Sequence, residues 1–287
     1  MPNRCETSTI LVSYNCLESL ERSLASLKSQ QGIEHEIIIV DNGSSDGSVE
    51  YLRGTGIKTI FSDRNLGYGQ AINLGAEEAS GKYLFVLNPD TEFSSSVLAD
   101  LYRFAENSEC LGMISPLILH PDGGIQVTSR KLPGRVDFFL GRGSPIYKLG
   151  IADESAAGYI RPKDDKPLEV PSVSATALFI NRDLFDEIGG FDERFFLYLE
   201  DIDICKRISE RDLKIVLLPS VSVIHSWRGS SRKRKYFAIY HHHLSVWKYF
   251  KKHFPNQYIY NFALLTALVF GFIISSLLAA IKLGSKE

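Results

Sequence analysis

The chain has 287 residues, of which 44% are hydrophobic and 23% charged, and this balance excludes an intrinsically disordered protein. Its four cysteines are far apart and form no CxxC pair, which argues against a zinc site and against a disulfide framework. The formal net charge of −2 conceals an asymmetry: residues 213–286 hold eleven Lys or Arg and no acid, whereas residues 1–212 hold 21 basic and 33 acidic residues. This division predicts an anionic surface as the partner of the C-terminal part.

Strand and helix signals alternate along the first ninety residues. The predicted strands are Thr9–Ser13, Glu36–Val40, Lys58–Phe61 and Lys82–Leu87, and the predicted helices carry Leu17, Leu20, Leu24 and Leu27 or cover Tyr68–Ala79. Strands this apolar, separated by helices, predict an α/β fold with a mostly parallel sheet flanked by helices. Ligands bind such sheets outside the carboxyl ends of the strands, which here carry Ser13, Asp41 and Asn88–Asp90.

The middle of the chain loses this regularity. Residues 117–170 are rich in Gly, Pro and charge, so we expect long loops and a hairpin over the site. Regular elements return afterwards: a strand at Ala177–Ile180, a helix at Ile202–Glu210, strands at Ile215–Leu218 and Val221–Ile224, and a basic helix from about Lys233 to Phe250.

The C-terminal run Phe262–Ile281 contains 20 residues without a charge. As a helix it would extend about 30 Å, the thickness of the hydrocarbon core of a bilayer, although a buried core helix is the alternative. Basic and aromatic residues suited to a cytoplasmic membrane surface precede it: Lys248, Lys251, Lys252, Tyr258 and Tyr260. We therefore expect anionic membrane lipids, and not nucleic acid, as the partner of this part, with the bulk of the protein on the cytoplasmic side.

Two common phosphate-binding patterns are missing from the sequence. There is no GxxxxGK[ST] motif, which excludes a P-loop enzyme. Gly67-Tyr68-Gly69 begins like a dinucleotide fingerprint, but Ile72 stands where the third glycine belongs, so a Rossmann oxidoreductase is disfavoured.

Several short motifs occur in a fixed order along residues 8 to 228. They are Val12-Ser13-Tyr14-Asn15, the run from Val40 to Gly47, the run from Asn65 to Asn73, Leu87-Asn88-Pro89-Asp90, Gly190-Phe191-Asp192-Glu193, and the run from Tyr198 to Asp203. Together they resemble the family 2 glycosyltransferases, inverting enzymes of the GT-A fold. The resemblance implies a GT-A domain over residues 1–228. The charge and hydropathy patterns predict a basic juxtamembrane helix over 229–258 and a transmembrane or membrane-embedded segment over 259–287.

The resemblance also implies a nucleotide-sugar donor and the residues that bind it. These donor-binding residues are Ser13, Asn15, Asp41, Asn65, Gly67, Asn73, Asn88 and Asp90. Asp41 can accept hydrogen bonds from the base or the ribose, while the turn that it forms with Asn42-Gly43 would present its carboxylate.

A divalent cation is expected beside the donor diphosphate. Asn88-Pro89-Asp90 stands where the family has its Asp-x-Asp motif, with Asn88 replacing the first carboxylate. Mg²⁺ or Mn²⁺ would neutralise the charge that develops on the leaving diphosphate. Asp90 and His225 are the expected ligands, since some family members place a histidine at this distance.

The pair Glu200-Asp201 begins a predicted helix. In the family the Asp of this pair is the general base that takes the proton of the acceptor hydroxyl, which makes Asp201 the candidate catalytic residue. Helix capping is the alternative role. Glu200 and Asp203 are expected to orient the acceptor or to support the helix. Consecutive helical residues point in different directions, so His241-His242-His243 is interpreted as a polar segment and not as a metal cluster.

Within the family, the Asn-Pro-Asp pattern and Phe191–Phe196 resemble the rhamnosyltransferase branch of surface-polysaccharide synthesis, which uses dTDP-L-rhamnose. The expected acceptor is a polyprenyl-diphosphate-linked saccharide at the cell membrane. Transfer of a hexose from a UDP-hexose to a lipid acceptor is the first alternative. A sugar nucleotidyltransferase is a second, although Ser13–Glu18 contains neither the glycines nor the basic residues of its usual loop. A non-catalytic membrane scaffold would not need carboxylates at several strand ends.

Overall fold

The structure, a computed structural model, describes residues 5–134, 137, 145–148, 150–226 and 235–284, and only the backbone at residues 145, 148, 235 and 276–284. Parts of the sequence predictions fall outside these ranges. They are the glycine-rich run at 141–143, the start of the basic helix at Lys233, and the basic residues Arg228, Arg232, Arg234 and Lys286.

A central mixed sheet organises the fold. Its strands follow the order β3-β2-β1-β4-β10-β6-β11-β5, with β9 also paired to β11, while β7 and β8 form a separate ribbon. β3, β2, β1 and β4 are mutually parallel, β10 is antiparallel to β4 and β6, and β6 is parallel to β11. The strands are β1 (Thr7–Ser13), β2 (His35–Asp41), β3 (Lys58–Phe61), β4 (Tyr83–Leu87), β5 (Thr91–Glu92), β6 (Leu111–Leu119), β7 (Ser129–Arg130), β8 (Tyr159–Ile160), β9 (Leu168–Glu169), β10 (Ala177–Asn181) and β11 (Lys214–His225).

Helices cover both faces of this sheet. In β1, Ile10 and Val12 belong to one apolar cluster and Leu11 to the other, because successive side chains of a strand point to opposite faces. The described helices are α1 (Leu17–Lys28), α2 (Ser48–Thr55), α3 (Tyr68–Glu77), α4 (Val97–Glu106), α5 (Pro145–Lys148), α6 (Arg182–Glu187), α7 (Glu200–Ser209), α8 (Lys235–His253) and α9 (Tyr258–Gly284). Helices α3 and α7 pack on the first face, and α1, α2 and α4 on the second. The predicted α/β fold with a mostly parallel sheet is confirmed.

Two elements differ from the sequence prediction. The two strands expected at Ile215–Leu218 and Val221–Ile224 are one strand, β11, whose register against β6 shifts between Leu218 and Ser222. The physical reason is Pro219, which has no N–H to donate and is tolerated where the ladder is irregular. The loop region at 117–170 begins inside strand β6 and contains the short ribbon of β7 and β8.

Helices α8 and α9 pack on α7 through a third apolar cluster. Its buried residues are Phe195, Leu199, Ile202, Val246, Tyr249, Phe250, Leu264 and Leu268. Burial of these side chains joins the C-terminal helices to the segment that leads into α7.

The fully buried carboxylate of Asp203 reinforces this junction. It accepts hydrogen bonds from Arg207 at 2.8 Å, from Lys252 at 2.6 Å and from His253 at 2.8 Å. Burial alone would raise the pKa of Asp203, but the hydrogen bond from His253 and the cations Arg207 and Lys252 outweigh it and lower that pKa. Lys252 also binds Asp192 at 2.7 Å, so the same cation ties α8 to the loop before α7.

Replacement of this carboxylate tests the junction. Asp203→Asn should lower the free energy of unfolding by roughly 3 kcal/mol, because it leaves buried cations without their counter-charge. The matched control Asp100→Asn removes an exposed ion pair with Arg103 and should cost less than about 1 kcal/mol. Both values come from urea unfolding in mild detergent.

The pH dependence gives a second readout of Asp203. The pKa of Asp203 in the folded protein lies below the ordinary value of 3.8. Its ionised carboxylate therefore stabilises the folded protein at pH values above 3.8, and this stabilisation is lost as the pH falls through the folded-state pKa. The stability difference between wild type and Asp203→Asn should therefore shrink below about pH 4. Equal losses for Asp203→Asn and Asp100→Asn would contradict the account of the junction.

Candidate functional site

A cleft of about 430 Å³ lies at the carboxyl ends of β1, β2 and β4. This is the edge at which parallel strands present ligand-binding residues. The sheet side of the cleft includes Asn15, Asn42, Asn88 and Asp90, and Phe196 with Phe237 of α8 lies on its lining as well. Among the described lining residues there is no Lys or Arg, whereas Glu18, Asp46 and Asp90 are acids.

Asparagines build one end of the cleft. Asn42 donates to Asn65 Oδ1 at 3.1 Å and to the Gly67 carbonyl at 3.2 Å, and its own Oδ1 accepts from Leu66 N at 2.8 Å. Asn15 Oδ1 accepts from Ser45 N at 2.7 Å. These bonds fix the loops after β1, β2 and β3 relative to one another, so the predicted residues Asn15, Asn65 and Gly67 lie together on the lining.

Asp41 and Ser13 lie behind this lining, at paired positions of β1 and β2. Asp41 Oδ1 accepts from Ser44 N at 2.9 Å, which confirms the predicted turn. Its Oδ2 is buried and has no hydrogen-bond partner among the residues that the structure describes. Leaving such an oxygen without a donor costs free energy, so Asp41 is suited to accept a ligand N–H or O–H. Ser13 is fully buried, with Oγ 3.6 Å from Cys16 Sγ.

The structure brings Asp90 and His225 together, as the metal prediction required. His225 Nε2 lies 3.1 Å from Asp90 Oδ1, because β5 pairs with the end of β11. On the other side of the ring, Nδ1 lies 3.0 Å from Gln126 Oε1. In the neutral tautomer that carries its proton on Nδ1, Nδ1 donates to this amide oxygen and the Nε2 lone pair faces the carboxylate.

Two acceptors that face each other need a cation or a proton between them, so this donor set fits a divalent ion. Carboxylate oxygen and imidazole nitrogen suit Mn²⁺, and the carboxylate also suits Mg²⁺. The described part of the chain has no group of three or more His, Cys, Asp or Glu placed to hold a metal. Water and a bound diphosphate would supply the remaining ligands, as is usual for Mg²⁺ at phosphate sites.

Glu200 and Asp201 begin helix α7 near the cleft. Glu200 is buried, and its Oε2 has no hydrogen-bond partner within the described residues. Asp201 accepts from its neighbour Ile202 N at 2.8 Å and from Ala175 N at 3.3 Å. Burial raises the pKa of both carboxyls, and for Glu200 the charge of Asp201 raises it further.

Tyr68 links the cleft lining to the residue that binds Asp201. Tyr68 lines the cleft, and its hydroxyl donates to the Ala175 carbonyl at 2.9 Å. The N–H of the same residue, Ala175, donates to Asp201. Burial raises the pKa of Tyr68, and the charges of Glu200, Asp201 and Asp90 raise it further. The charges of these three carboxylates therefore act on one hydroxyl at the wall of the cleft.

The backbone before α7 adopts an uncommon conformation. Tyr198 and Leu199 have φ angles of 69° and 66°, a region that costs non-glycine residues free energy. Packing of Leu199 in the third cluster and a ring contact between Tyr198 and His242 hold the turn. This conformation orients the first turn of α7, where Glu200 and Asp201 lie.

Six predicted residues are not on the described cleft lining: Ser13, Asp41, Asn73, Glu200, Asp201 and Asp203. Asn73 donates to the Phe191 carbonyl at 2.8 Å and accepts from Phe191 N at 2.9 Å, so its amide holds the loop before α7. Asp203 lies in the ion-pair junction described above. The three histidines of α8 face different surroundings: His241 stacks on Phe196, His242 contacts Tyr198, and His243 contacts Phe272.

Sequence reasoning missed three residues of this site. Gln126 lies in the stretch that was expected to be loop, and no local pattern marks it as the partner of His225. Arg130 lies over the Tyr159 ring at 5.7 Å, and its charge lowers the pKa of Asp201 against the effect of burial. Tyr68 was within a recognised motif, but its contact with Ala175 spans 107 residues of chain, which local spacing cannot indicate.

The chain matches the family model described as glycosyl transferase family 2 over residues 8–189. It is 29% identical over 256 residues to an N-acetylglucosaminyl-diphospho-decaprenol L-rhamnosyltransferase of Mycobacterium tuberculosis, a match that covers 83% of this chain and 81% of the relative. It is 26% identical over 239 residues to the low-salt glycan biosynthesis hexosyltransferase Agl10 of Haloferax volcanii, covering 79% and 73%. It is 24% identical over 251 residues to the rhamnosyltransferase WbbL of Escherichia coli, covering 84% and 90%.

Solved structures share the fold. GalNAc-T7 with UDP, GalNAc and Mn²⁺ superposes with a TM-score of 0.59 at 20% identity, covering 80% of this chain and 45% of that one. The mannosyltransferase PcManGT from Pyrobaculum calidifontis in complex with GDP-Man and Mn²⁺ gives 0.58 at 16% identity, covering 99% and 81%. These neighbours and the family match confirm the predicted GT-A-type fold and the resemblance to the family.

Gly67 tests how tightly the cleft wall is built. Its φ is +90°, and a Cβ there would lie 2.5 Å from the Phe196 carbonyl oxygen, whereas Gly56 at φ +69° has no atom within 4 Å of such a Cβ. Gly56→Ala should cost about 1–2 kcal/mol from backbone strain alone. Gly67→Ala should cost at least about 1 kcal/mol more, because backbone atoms must also move. Equal losses in urea unfolding would contradict the close contact between Gly67 and Phe196.

Proposed function

The chain belongs to glycosyl transferase family 2, and from this premise we propose that it transfers L-rhamnose from dTDP-L-rhamnose to a polyprenyl-diphosphate-linked saccharide with inversion of the anomeric centre. The family match and the similarity to a curated glycosyltransferase show that the chain is a glycosyltransferase. The observation that carries the rest of the proposal is geometric: Asp90 and His225 lie together on the cleft lining, and Tyr68 of the same lining binds Ala175, the residue that also binds Asp201.

This arrangement suits an in-line displacement. Inversion requires the acceptor oxygen to attack the sugar from the face opposite the departing diphosphate. A base must therefore be near the attacking oxygen and a positive charge near the leaving group. Asp201 is assigned the first position, and the pair of Asp90 and His225 the second.

The donor nucleotide is assigned to the asparagine end of the cleft. Asn15, Asn42 and Asn65 already form a bonded network there, so their positions are set before a ligand arrives. Asp41 Oδ2, which is buried without a described partner, would accept a hydrogen bond from the base or the ribose. Gly67, which packs closely on the Phe196 backbone, and Asn88 complete the lining beside this network and Asp90.

A bound Mg²⁺ or Mn²⁺ would neutralise the charge that develops on the diphosphate. Asp90 and His225 would hold it, and Gln126 orients the ring of His225 from behind, as outer hydrogen bonds do for metal-bound histidines. The described lining offers no Lys or Arg for the same task. The Mn²⁺ in the neighbour structures supports this assignment.

Asp201 would take the proton of the acceptor hydroxyl. Burial raises its pKa, so its carboxylate is a stronger base than an ordinary exposed one. Backbone N–H groups, first that of Ile202, and the charge of Arg130 oppose this rise in the pKa of Asp201. Glu200, whose pKa burial and the charge of Asp201 raise well above the usual range, would orient the acceptor or support the start of α7.

The choice of sugar and acceptor rests on relatives. Two relatives are named rhamnosyltransferases, and the name of one specifies an N-acetylglucosaminyl-diphospho-decaprenol acceptor. The relative from Haloferax volcanii is named a hexosyltransferase, which supports UDP-hexose donors as the second candidate. We place the reaction at the cytoplasmic face of the cell membrane, where a lipid-linked acceptor and a soluble donor can meet.

Asp201→Asn tests the base. The substitution keeps volume and hydrogen bonding but removes basicity, so the transfer rate should fall at least tenfold, a loss of about 1.4 kcal/mol or more in transition-state stabilisation. Donor affinity should stay within about twofold. Asp212→Asn, an exposed acid just after the same helix, should leave both quantities unchanged. The measurement is single-turnover transfer with a water-soluble acceptor analogue.

The pH profile separates a base from a helix cap. The wild-type rate should rise with pH through a pKa above the ordinary value of 3.8, because only the ionised carboxylate accepts a proton. That rise should be missing from the residual activity of Asp201→Asn. A mutant that retains more than a tenth of the rate, or that only melts earlier, would assign Asp201 to capping.

Asp90→Asn tests the cation site. Calorimetric titration of nucleoside diphosphate into wild-type protein should give tighter binding with Mn²⁺ or Mg²⁺ than with EDTA. Asp90→Asn should lose most of that difference, because its amide is a weaker ligand than a carboxylate. Asp63→Asn, the same substitution at an exposed position, should behave as wild type. Equal affinity of the wild type with metal and with EDTA would remove the cation from the proposal.

A further inference from the structure

Helix α9 uses a narrow stripe of residues to pack against the rest of the protein. Asn261, Leu264 and Leu268 are buried, and an added Cβ at Gly271 would lie 3.3 Å from His243 Nε2. Phe272 meets the Tyr240 and His243 rings edge-on, with ring centres 6.3 and 6.0 Å apart. These positions repeat every three or four residues, so they form one face of the helix. This packed stripe, Asn261 to Phe272, extends along roughly 17 Å of the axis.

The remaining surface of α9 is apolar and exposed. The window Tyr258–Ser275 has a mean hydropathy of 1.8, yet only 17% of it is buried. Its large exposed side chains are Tyr258, Ile259, Tyr260, Phe262, Leu265, Val269, Phe270, Ile273 and Ile274. At 100° per residue these positions cover more than half of the helix circumference. An exposed apolar surface of this extent marks an interaction site.

We propose that α9 is a monotopic membrane element, which lies in the surface of the bilayer with its exposed apolar face in the lipid and does not span it. The proposal deepens the proposed function and rests on it only for the identity of the acceptor. The vesicle measurements below do not depend on sugar transfer.

The packed stripe is the reason that α9 does not span. A spanning helix needs lipid, or another buried helix, around its whole circumference over about 30 Å. Here α8 covers one side of α9 from Asn261 to Phe272, and α8 carries Lys248, Lys251 and Lys252. Lys252 is bound to Asp203 and Asp192, and Lys248 donates to the Arg194 carbonyl, so α8 cannot enter the hydrocarbon core without carrying these charges with it.

These contacts also correct part of the sequence expectation. Lys248 and Lys252 were expected among lipid headgroups, but both bind groups of the protein itself. Lys251 is exposed and stays available for anionic headgroups. Apolar burial, and not charge, would therefore supply most of the affinity of the described residues for the membrane.

A bilayer fits the exposed face better than a second copy of the chain. A partner helix covers a stripe of about 100°, as helices do in coiled coils and bundles. Such a stripe would leave much of the apolar face of α9 in water. Lipid can cover all of it, and Tyr258 with Tyr260 at the start of the helix suits the half-hydrated interface.

The orientation has a consequence for the acceptor. Phe237 and Ala238 of α8 line the cleft, and Tyr240 in the next turn contacts Phe272 of α9. The membrane-bound face is therefore one helix layer from the cleft. A saccharide on a lipid-linked diphosphate can reach the cleft without its lipid leaving the bilayer, which confines acceptor and enzyme to one surface.

Depth measurements test the orientation in full-length protein bound to vesicles of phosphatidylcholine and phosphatidylglycerol. Trp227 and Trp247 are replaced by Phe, and a single reporter is introduced as Phe262→Trp or as Phe270→Trp, two outer-face positions about 12 Å apart along the axis. Both reporters should be quenched most by lipids brominated near the headgroup. Strong quenching of the Phe270→Trp protein by lipids brominated near the chain ends would show a spanning helix and overturn the proposal.

A charge substitution tests the apolar face independently. Phe270→Glu places a carboxylate on this face and should weaken vesicle binding at least about tenfold. Gln257→Glu adds the same charge at an exposed position just before α9 and should change binding less than about twofold. Both variants should keep wild-type transfer to a water-soluble acceptor, so loss of membrane binding is distinguishable from failure of the proposed reaction. Equal vesicle binding by both variants, or a Phe270→Glu protein that dissociates from a dimer to a monomer, would overturn the proposal.

Discussion

The buried carboxylate of Asp203 holds together the elements on which the site depends. It binds Arg207 within α7 and both Lys252 and His253 of α8, and Lys252 extends the contact to Asp192 in the loop before α7. Removing these five side chains from water is costly unless each is paired, so the junction favours one arrangement of these elements. That arrangement sets the direction of the first turn of α7.

The direction of α7 decides what the carboxylates can do. Tyr198 and Leu199 adopt left-handed backbone conformations immediately before Glu200, and the third apolar cluster holds them there. The resulting turn buries Glu200 and leaves Asp201 half-buried, and burial raises the pKa of both acids. Packing on α8 thus stabilises a strained backbone. That backbone holds Glu200 and Asp201 in a desolvated position, which is the environment that proton transfer needs. The same α8 contributes Phe237 to the cleft and supports α9, so site and membrane element share one scaffold.

Much of this architecture could be predicted from local sequence. Apolar strands ending in Ser13, Asp41 and Asn88 predicted the edge of the sheet at which the cleft lies, because strand ends of a parallel sheet meet at one edge. The proximity of Asp90 and His225 was implied by the resemblance to the family. The remainder depends on contacts between distant residues. Strand β6, the continuity of β11 through Pro219, the bond from Gln126 to His225 and the packed stripe of α9 leave no periodic signal in their own segments.

The most direct test of the central claim is the stereochemistry of transfer by the purified full-length protein. It would be incubated with Mn²⁺, a polyprenyl-diphosphate-linked N-acetylglucosamine and, separately, dTDP-L-rhamnose and UDP-hexoses, and the new glycosidic bond examined by NMR. The account predicts transfer from dTDP-L-rhamnose, with an anomeric configuration opposite to that of the donor. Retention of configuration would contradict the in-line arrangement of Asp201 against Asp90 and His225. Failure to transfer from any donor would contradict the proposed reaction as a whole.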